Sequence, residues 1–405
     1  MASMDWARRR LPIVKNLDDT DLYKLTMGHF IDTKFGDADV TYHLHMRSDI
    51  DFEPEEVAWI EASLKAMDSV GFSEAGLAHL RTRAGHYLPA HYLEYLSGLR
   101  LDPKQIKVWA ENKKLKCEAR GPWSQTVYWE IPVMETVSEA LFESRAPLTE
   151  ERLQAVYRKA YRKGEALREL GASFIDMGSR RRRSRAVQDA VVRGLRDGGQ
   201  AYFLGTSNVY FAAKYNLTPH GTMAHELFSA VAAMYGVESA NEIVLEKWAE
   251  TYRGNLGIAL PDTFTTDFFL RTFDPYFAKL FDGLRHDSGD PLAWIGKILA
   301  HYKRFGISPA GKRLVFSDGI SSLETVEKIV RRCEGVIPVT FGIGTWFTND
   351  FEDMPALNMV FKLVEAQKNL FGLEPRRHAV KLSDADGKHN GDLDMVEDYK
   401  KRIRA

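Results

Sequence analysis

The sequence predicts an α/β fold in which a parallel sheet built from βα units follows an N-terminal domain of mixed α/β character. Beyond residue 170, short apolar runs alternate with amphipathic helices, the pattern of repeated strand–loop–helix units. Polar, glycine-containing strings sit where those runs end. Before about residue 150 the texture differs, with alternating or wholly apolar runs separated by helical stretches.

In chain order, VTYHLHMR (40–47), IKVWAE (106–111) and VYWEIPVM (127–134) predict strands of a mixed sheet, and EEVAWIEASLKAMDSV (55–70) predicts a helix between them. The segment at 143–171 opens on a proline break and continues as a long amphipathic helix, a connection into a second domain. Beyond it SFIDMG leads to GSRRRRS and a helix, and AYFLG leads to GTSN and VYFAAKY. LGIALP leads to DTFTTD, GLRHDSGD to a helix opening at DP, and KRLVFSD to GISSLETVEKIVRRC; VIPVTFGIG closes the run. Both a βα barrel and a doubly wound sheet put ligands at strand C-termini, so the pattern leaves the two open. Boundaries are expected at 1–150, 151–365 and 366–405, the last segment packing back on the first domain. The tail from 381 is polar and reads as partly mobile.

A chain of 405 residues exceeds one typical core. With 44% apolar and 27% charged residues and a net charge of -1, it is an ordinary globular protein rather than a globally basic nucleic-acid binder. Two cysteines, Cys117 and Cys333, are too few for a disulfide framework or a zinc cluster. The opening residues lack the apolar core of a signal peptide, and no run of about 18 apolar residues occurs. The cytoplasm is the expected compartment, with no membrane and no nucleic-acid partner.

The segment LTPHGTMAHE (217–226) carries the most chemistry. Pro219 and Gly221 break local structure, and Thr222 is expected to cap a helix whose first turn holds His225. There an anion, or a phosphoryl group carried on the imidazole, meets unpaired N–H groups and the positive end of the helix dipole. An ordinary first-turn histidine would look the same. A zinc-protease motif is excluded because Ser229 replaces the second histidine of H-E-x-x-H. FGIGT (341–345) offers Gly342, Gly344 and Thr345 for close approach to a phosphate, or simply a tight turn. In RHDSGDP (285–291), Arg285, Asp287 and Asp290 suit a polyanion with its Mg²⁺, or a surface turn. GSRRRRSR crowds Arg180 to Arg183 and Arg185 together, which reads either as a solvated or RNA-contacting patch or as an anion pocket.

GTMAHE resembles the segment of nicotinate phosphoribosyltransferases whose histidine is phosphorylated by ATP. DTDLYKLTM (19–27), GSRRRRS (178–184), GTSN (205–208), RHDSGDP, FSDG (316–319) and FGIGT fall in the same order as that family's motifs. The resemblance implies an irregular α/β barrel of the type II phosphoribosyltransferases. It implies that nicotinate attacks phosphoribosyl pyrophosphate (PRPP), giving nicotinate mononucleotide and pyrophosphate for NAD biosynthesis, with ATP as co-substrate and Mg²⁺ arriving with PRPP or ATP. By resemblance His225 is the phosphohistidine, acting with Arg285 and Asp287. Tyr23, Arg180, Thr222 and Arg285 bind nicotinate; Tyr23 carries more of the ring stacking because Met177 stands where relatives commonly have an aromatic. Ser207, Asn208, Asp262, Asp318, Gly342, Gly344 and Thr345 bind PRPP. A homodimer with sites at its interface is implied. The alternatives are a nicotinamide or quinolinate phosphoribosyltransferase, or an RNA-binding protein with a degenerate enzyme fold.

Overall fold

The computed structural model describes residues 11–368, 374–385 and 388–404. Its strands are β1 (Ala38–Met46), β2 (Ile106–Glu111), β3 (Lys114–Pro122), β4 (Phe174–Asp176), β5 (Phe203–Thr206), β6 (Thr218–Pro219), β7 (Ile258–Ala259), β8 (Gly283–His286), β9 (Arg313–Phe316), β10 (Val339–Ile343), β11 (Met359–Lys368) and β12 (Arg377–His378). They form two sheets, ordered β12-β11-β1-β3-β2 and β6-β5-β4-β10-β9-β8-β7.

The first sheet is antiparallel throughout, where a mixed one was expected. Its central pairing joins β1 to β11, from Ala38↔Lys368 to Met46↔Met359 with a one-residue register shift between Thr41 and Tyr42, so a strand from late in the chain completes the N-terminal sheet. The third expected N-terminal strand is absent. VYWEIPVM instead enters the helix Glu130–Arg145, which buries Ile131, Val133, Met134 and Val137 together. A short apolar run surrounded by core has no period to separate strand from helix.

The second sheet is parallel and curled. Its strand order is the chain order β4 to β10 written as a ring, with β10 returning beside β4 and one break between β6 and β7. This is the irregular α/β barrel, open along one seam. The helices His225–Tyr235 and Val237–Tyr252 lie in the chain at that break, and Thr222 Oγ1 donates to Ile258 O across it at 3.1 Å. On the outside, the helices Glu150–Glu169 and Arg185–Gly199 approach backbone to backbone. A Cβ at Gly198 would lie 2.1 Å from Tyr161 O, so only glycine permits the contact.

The C-terminal segment divides its contacts. β12 extends the N-terminal sheet, but the helix Leu393–Arg404 packs on Val237–Tyr252, where Arg402 pairs with Glu238, and Arg271 of the helix Thr266–Thr272 donates to Ile403 O. The segment 366–405, expected to pack back on the first domain, thus meets that domain's sheet through β12 and the barrel's helices through its last helix. Among the described residues no helix is long and apolar enough to cross a membrane.

Candidate active site

One cavity of about 1220 Å³ runs from the C-terminal ends of the barrel strands to the N-terminal sheet. Tyr23, Arg180, Ser207, Thr222, His225, Arg285, Asp287, Asp318, Gly342, Gly344 and Thr345 all line it.

A buried polar network holds the N-terminal motif against the barrel. Leu22 N donates to Ser207 O at 2.7 Å and Val209 N to Thr20 O at 2.9 Å. Asp21 Oδ1 accepts the hydroxyls of Ser179 and Ser207 at 2.7 and 2.6 Å. Asp19 takes a two-point contact from Arg182 at 2.7 and 2.9 Å and the Asn208 amide at 2.8 Å. Residues 19–27, 178–184 and 205–208 thus form one unit, and Tyr23 enters the cavity from it. Asn208 sits behind the wall, fully buried, with Oδ1 capping the helix Val209–Tyr215 at Phe211 N. It is a support for the cavity rather than part of its lining.

The arginine run is not a solvated face. Arg182 and Arg183 are each 1% exposed. Arg182 also pairs with Glu135 at 3.0 Å, and Arg183 lies over Phe351 and donates to Met354 O and Ala146 O. Arg185 pairs with Asp19 and lies over Tyr210. Arg180 faces the cavity, with its guanidinium 6.0 Å from the Tyr23 ring centre.

At the Tyr23 end, Tyr23 OH donates to Glu130 Oε2 at 3.0 Å and Arg180 pairs with Glu130 Oε1 at 3.4 Å. Lys24 Nζ lies 2.6 Å from both Glu130 Oε2 and Glu226 Oε1. Burial alone would raise the Glu130 carboxyl, but Lys24 and Arg180 together hold it below its ordinary range. Glu130 fell inside the run read as a strand, so nothing in the sequence singled it out.

His225 opens its helix as placed, but Thr222 does not cap it. Ala224 occupies the N-cap without a side-chain bond, because the Thr222 hydroxyl is spent on Ile258 O. Gly221 permits the loop's path, since a Cβ there would lie 2.6 Å from Tyr23 N. The imidazole is held on both edges: Nδ1 lies 3.0 Å from Thr263 Oγ1, and Nε2 lies 2.8 Å from both Asp287 Oδ2 and Lys381 Nζ. Burial and then Lys381 lower the His225 pKa, against the opposing pull of Asp262 and Asp287. Asp287 also accepts Ser317 Oγ at 2.7 Å. Although burial would raise it, Arg285 and His225 keep its carboxyl well below the ordinary value. Arg285 NH1 donates to Met223 O, fixing the guanidinium under the GTMAHE loop.

Asp262 lies beneath this cluster, outside the lining. It accepts the Ser288 hydroxyl, and its Oδ1, buried without a hydrogen-bond partner, is 3.8 Å from His225 Nε2. His225, Asp262 and Asp287 offer ligand atoms within 4.8 Å of one another. The Lys381 ammonium already stands beside them, so the group reads as a charged cluster around the imidazole and not as a metal centre. Lys381 was not foreseen: an isolated lysine in a polar tail carries no local signal. A two-way backbone bridge with Asn390 fixes it.

At the glycine loop, Gly342 on β10 faces Met177, and Gly344 precedes the single helical turn Thr345–Thr348. Asp318 pairs with Lys388 at 3.4 Å, and Gly319, with φ +70°, turns the chain beyond it. Asp290, singled out with Arg285 and Asp287, caps the helix Pro291–Arg304 instead.

Comparison with known proteins follows the same lines. The nicotinate phosphoribosyltransferase (NAPRTase) family matches residues 172–404, and the N-terminal domain of that family matches residues 19–138. A nicotinate phosphoribosyltransferase of Chromohalobacter salexigens is 39% identical over 394 residues, covering 97% of this chain and 99% of that protein. The crystal structure of nicotinate phosphoribosyltransferase from Porphyromonas gingivalis superposes with a TM-score of 0.93 at 33% identity, covering 97% of this chain and all of the other. A putative nicotinate phosphoribosyltransferase from Saccharomyces cerevisiae gives 0.90 at 34% identity, covering 98% and 99%.

Proposed function

The chain belongs to the nicotinate phosphoribosyltransferase family, and we propose that its cavity couples phosphoribosyl transfer to ATP through His225. The family activity places the enzyme in pyridine nucleotide biosynthesis. The ring nitrogen of nicotinate attacks the anomeric carbon of PRPP; the new C–N bond forms as the bond to pyrophosphate breaks, leaving nicotinate mononucleotide. The centre passes through a cation-like sugar, so the protein's work is alignment, charge stabilisation of the leaving pyrophosphate and exclusion of water.

The arrangement of side chains supports a division of roles. Tyr23 stacks on the pyridine ring, Thr222 lines its pocket, and Arg180 and Arg285 compete to read the carboxylate. Gly342, Gly344, Thr345 and Asp318 receive PRPP, with Ser207 on the wall and Asn208 and Asp262 supporting from behind. Mg²⁺ enters with PRPP and ATP as part of those substrates, and no residue is assigned to it.

The observation that carries the ATP step is Nε2 of His225 set 2.8 Å from Lys381 Nζ and 2.8 Å from Asp287 Oδ2 at the cavity wall. Nδ1–H donated to Thr263 leaves the Nε2 lone pair for the γ-phosphorus of ATP. The P–N bond forms as the bond to ADP breaks, and the Lys381 ammonium and the helix N-terminus offset the added charge. Where Nε2 starts protonated, Asp287 accepts that proton. Water later cleaves the P–N bond, releasing phosphate and restoring the imidazole. The enzyme works as a cytoplasmic homodimer in this reading.

The test is product formation from nicotinate, nicotinamide or quinolinate with PRPP, with and without ATP. Nicotinate should be preferred and stimulated by ATP. Preference for either other base, or ATP without effect, overturns the reading.

A further inference from the structure

We propose that Lys24 couples the state of His225 to the nicotinate end of the cavity by bridging the carboxylates of Glu226 and Glu130. The proposal rests on the phosphohistidine reading and extends it. Glu226 follows His225 in the same helical turn. Glu130 holds both Tyr23, assigned to the pyridine ring, and Arg180, one of the two arginines offered for its carboxylate. Between them Lys24 is fully buried and lies 2.6 Å from an oxygen of each.

One ammonium shared by two buried carboxylates has two arrangements, and a nearby charge selects between them. The groups facing Glu226 are Lys24 from the helix Leu22–Phe35, Tyr42 from β1 and Glu130 from its own helix. Burial already raises the Glu226 carboxyl above its ordinary range, against Lys24, while Glu130 stays ionised. A phosphoryl group on His225 brings a charge of roughly -2 to the helical turn that also carries Glu226, in the cavity both side chains line. The two side chains point to different partners, so the charge acts on Glu226 through the field and not by contact. Glu226 then takes a proton from solvent. Lys24, released from Glu226, pairs with Glu130 alone. Glu130, neutralised by that single close partner, loosens its 3.4 Å hold on Arg180, which becomes free to meet the nicotinate carboxylate. Loss of the phosphoryl group reverses each step and returns the proton. Lys24 and Glu226 touch no substrate; they are positioning residues.

Glu226→Gln fixes the neutral state of the relay. Its nicotinate KM without ATP should fall to the wild-type value with ATP, and the further ATP-induced drop should be lost. kcat and the ATP response of the PRPP KM should persist, and His225 should still take up acid-labile phosphate from ATP. Glu130→Gln releases Arg180 directly, so it should give the same loss of ATP response, and the double variant should match either single one. Melting temperature and PRPP KM report whether each variant is folded, and either variant alone suffices. If wild type takes up no acid-labile phosphate, the parent reading fails and the relay fails with it. If both variants are labelled and keep the full drop in nicotinate KM, or if their effects add, the relay is overturned while the phosphohistidine stands.

Discussion

The Lys381 ammonium and the Nε2 of His225 lie 2.8 Å apart, though 156 residues separate them in the chain. An ammonium at that distance disfavours protonation of the imidazole and favours the arrival of negative charge on it.

Lys381→Met should therefore slow phosphorylation of His225 by ATP. A charge-assisted contact of about 1.5–3 kcal/mol corresponds to roughly ten- to a hundred-fold in rate. The readout is the single-turnover rate of acid-labile phosphate uptake from labelled ATP, with the ATP-independent transfer rate as the control. Equal losses in both would show that Lys381 has no specific part in phosphorylation.

Choice of the acid over the amide should depend on one convergent arginine. Replacing that residue, Arg180 or Arg285, with Met should reduce the kcat/KM ratio of nicotinate to nicotinamide by about ten- to a hundred-fold, while the other should weaken both bases alike. Tyr23→Ala should also weaken both alike, because stacking is indifferent to the substituent. Arg182→Met provides the contrast. It removes the two-point partner of the buried Asp19 carboxylate and leaves it only Arg185 and the Asn208 amide, so it should cost about 3 kcal/mol of stability by denaturant unfolding. An unchanged acid-over-amide ratio in both cavity variants would remove the arginine assignment.

The two loop glycines should fail in different ways. At Gly344 the nearest group to an added Cβ is Met177 O at 3.3 Å, whereas at Gly342 it is Met177 Sδ at 2.4 Å. Gly344→Val should raise the KM for PRPP far more than that for nicotinate with little change in melting temperature. Gly342→Val should lower the melting temperature and disturb both substrates. Equal KM effects in Gly344→Val would refute its place in the phosphate loop.

Lys362 lines the same cavity, and burial together with Lys381, Arg47 and Arg181 pushes its pKa down to about 7. Its positive charge is present below that pH and lost above it, so affinity for polyanions should fall as pH rises through neutrality. One lost charge-assisted contact would raise the PRPP KM on the order of tenfold between pH 6 and pH 8.5. Lys362→Arg, which stays charged, should flatten the profile. A wild-type KM that is flat over this range would exclude the effect.

Much of this was legible in the chain because strand-end motifs are local. RHDSGD, FSDG and FGIGT each run off the C-terminal end of a short strand, GTMAHE follows the two-residue β6, and the barrel gathers them at one mouth. The failures share a physical cause: the deciding partner is remote. The arginine run stayed open between a solvated patch and an anion pocket because Asp19 and Glu135, which draw Arg182 inward, lie elsewhere in the sequence. Glu130 was hidden in an apolar stretch whose helix is buried on nearly every side, erasing its period. Lys381 reaches His225 only because the chain returns to the barrel after β12.

The most direct test locates the phosphate that ATP leaves on the enzyme and compares turnover of the wild type with His225→Ala. The account predicts an acid-labile, base-stable phosphate on His225 in the wild type. His225→Ala should take up none and should lose ATP stimulation while retaining a slow ATP-independent transfer. Phosphate found on His220, or full ATP stimulation surviving in His225→Ala, would contradict it.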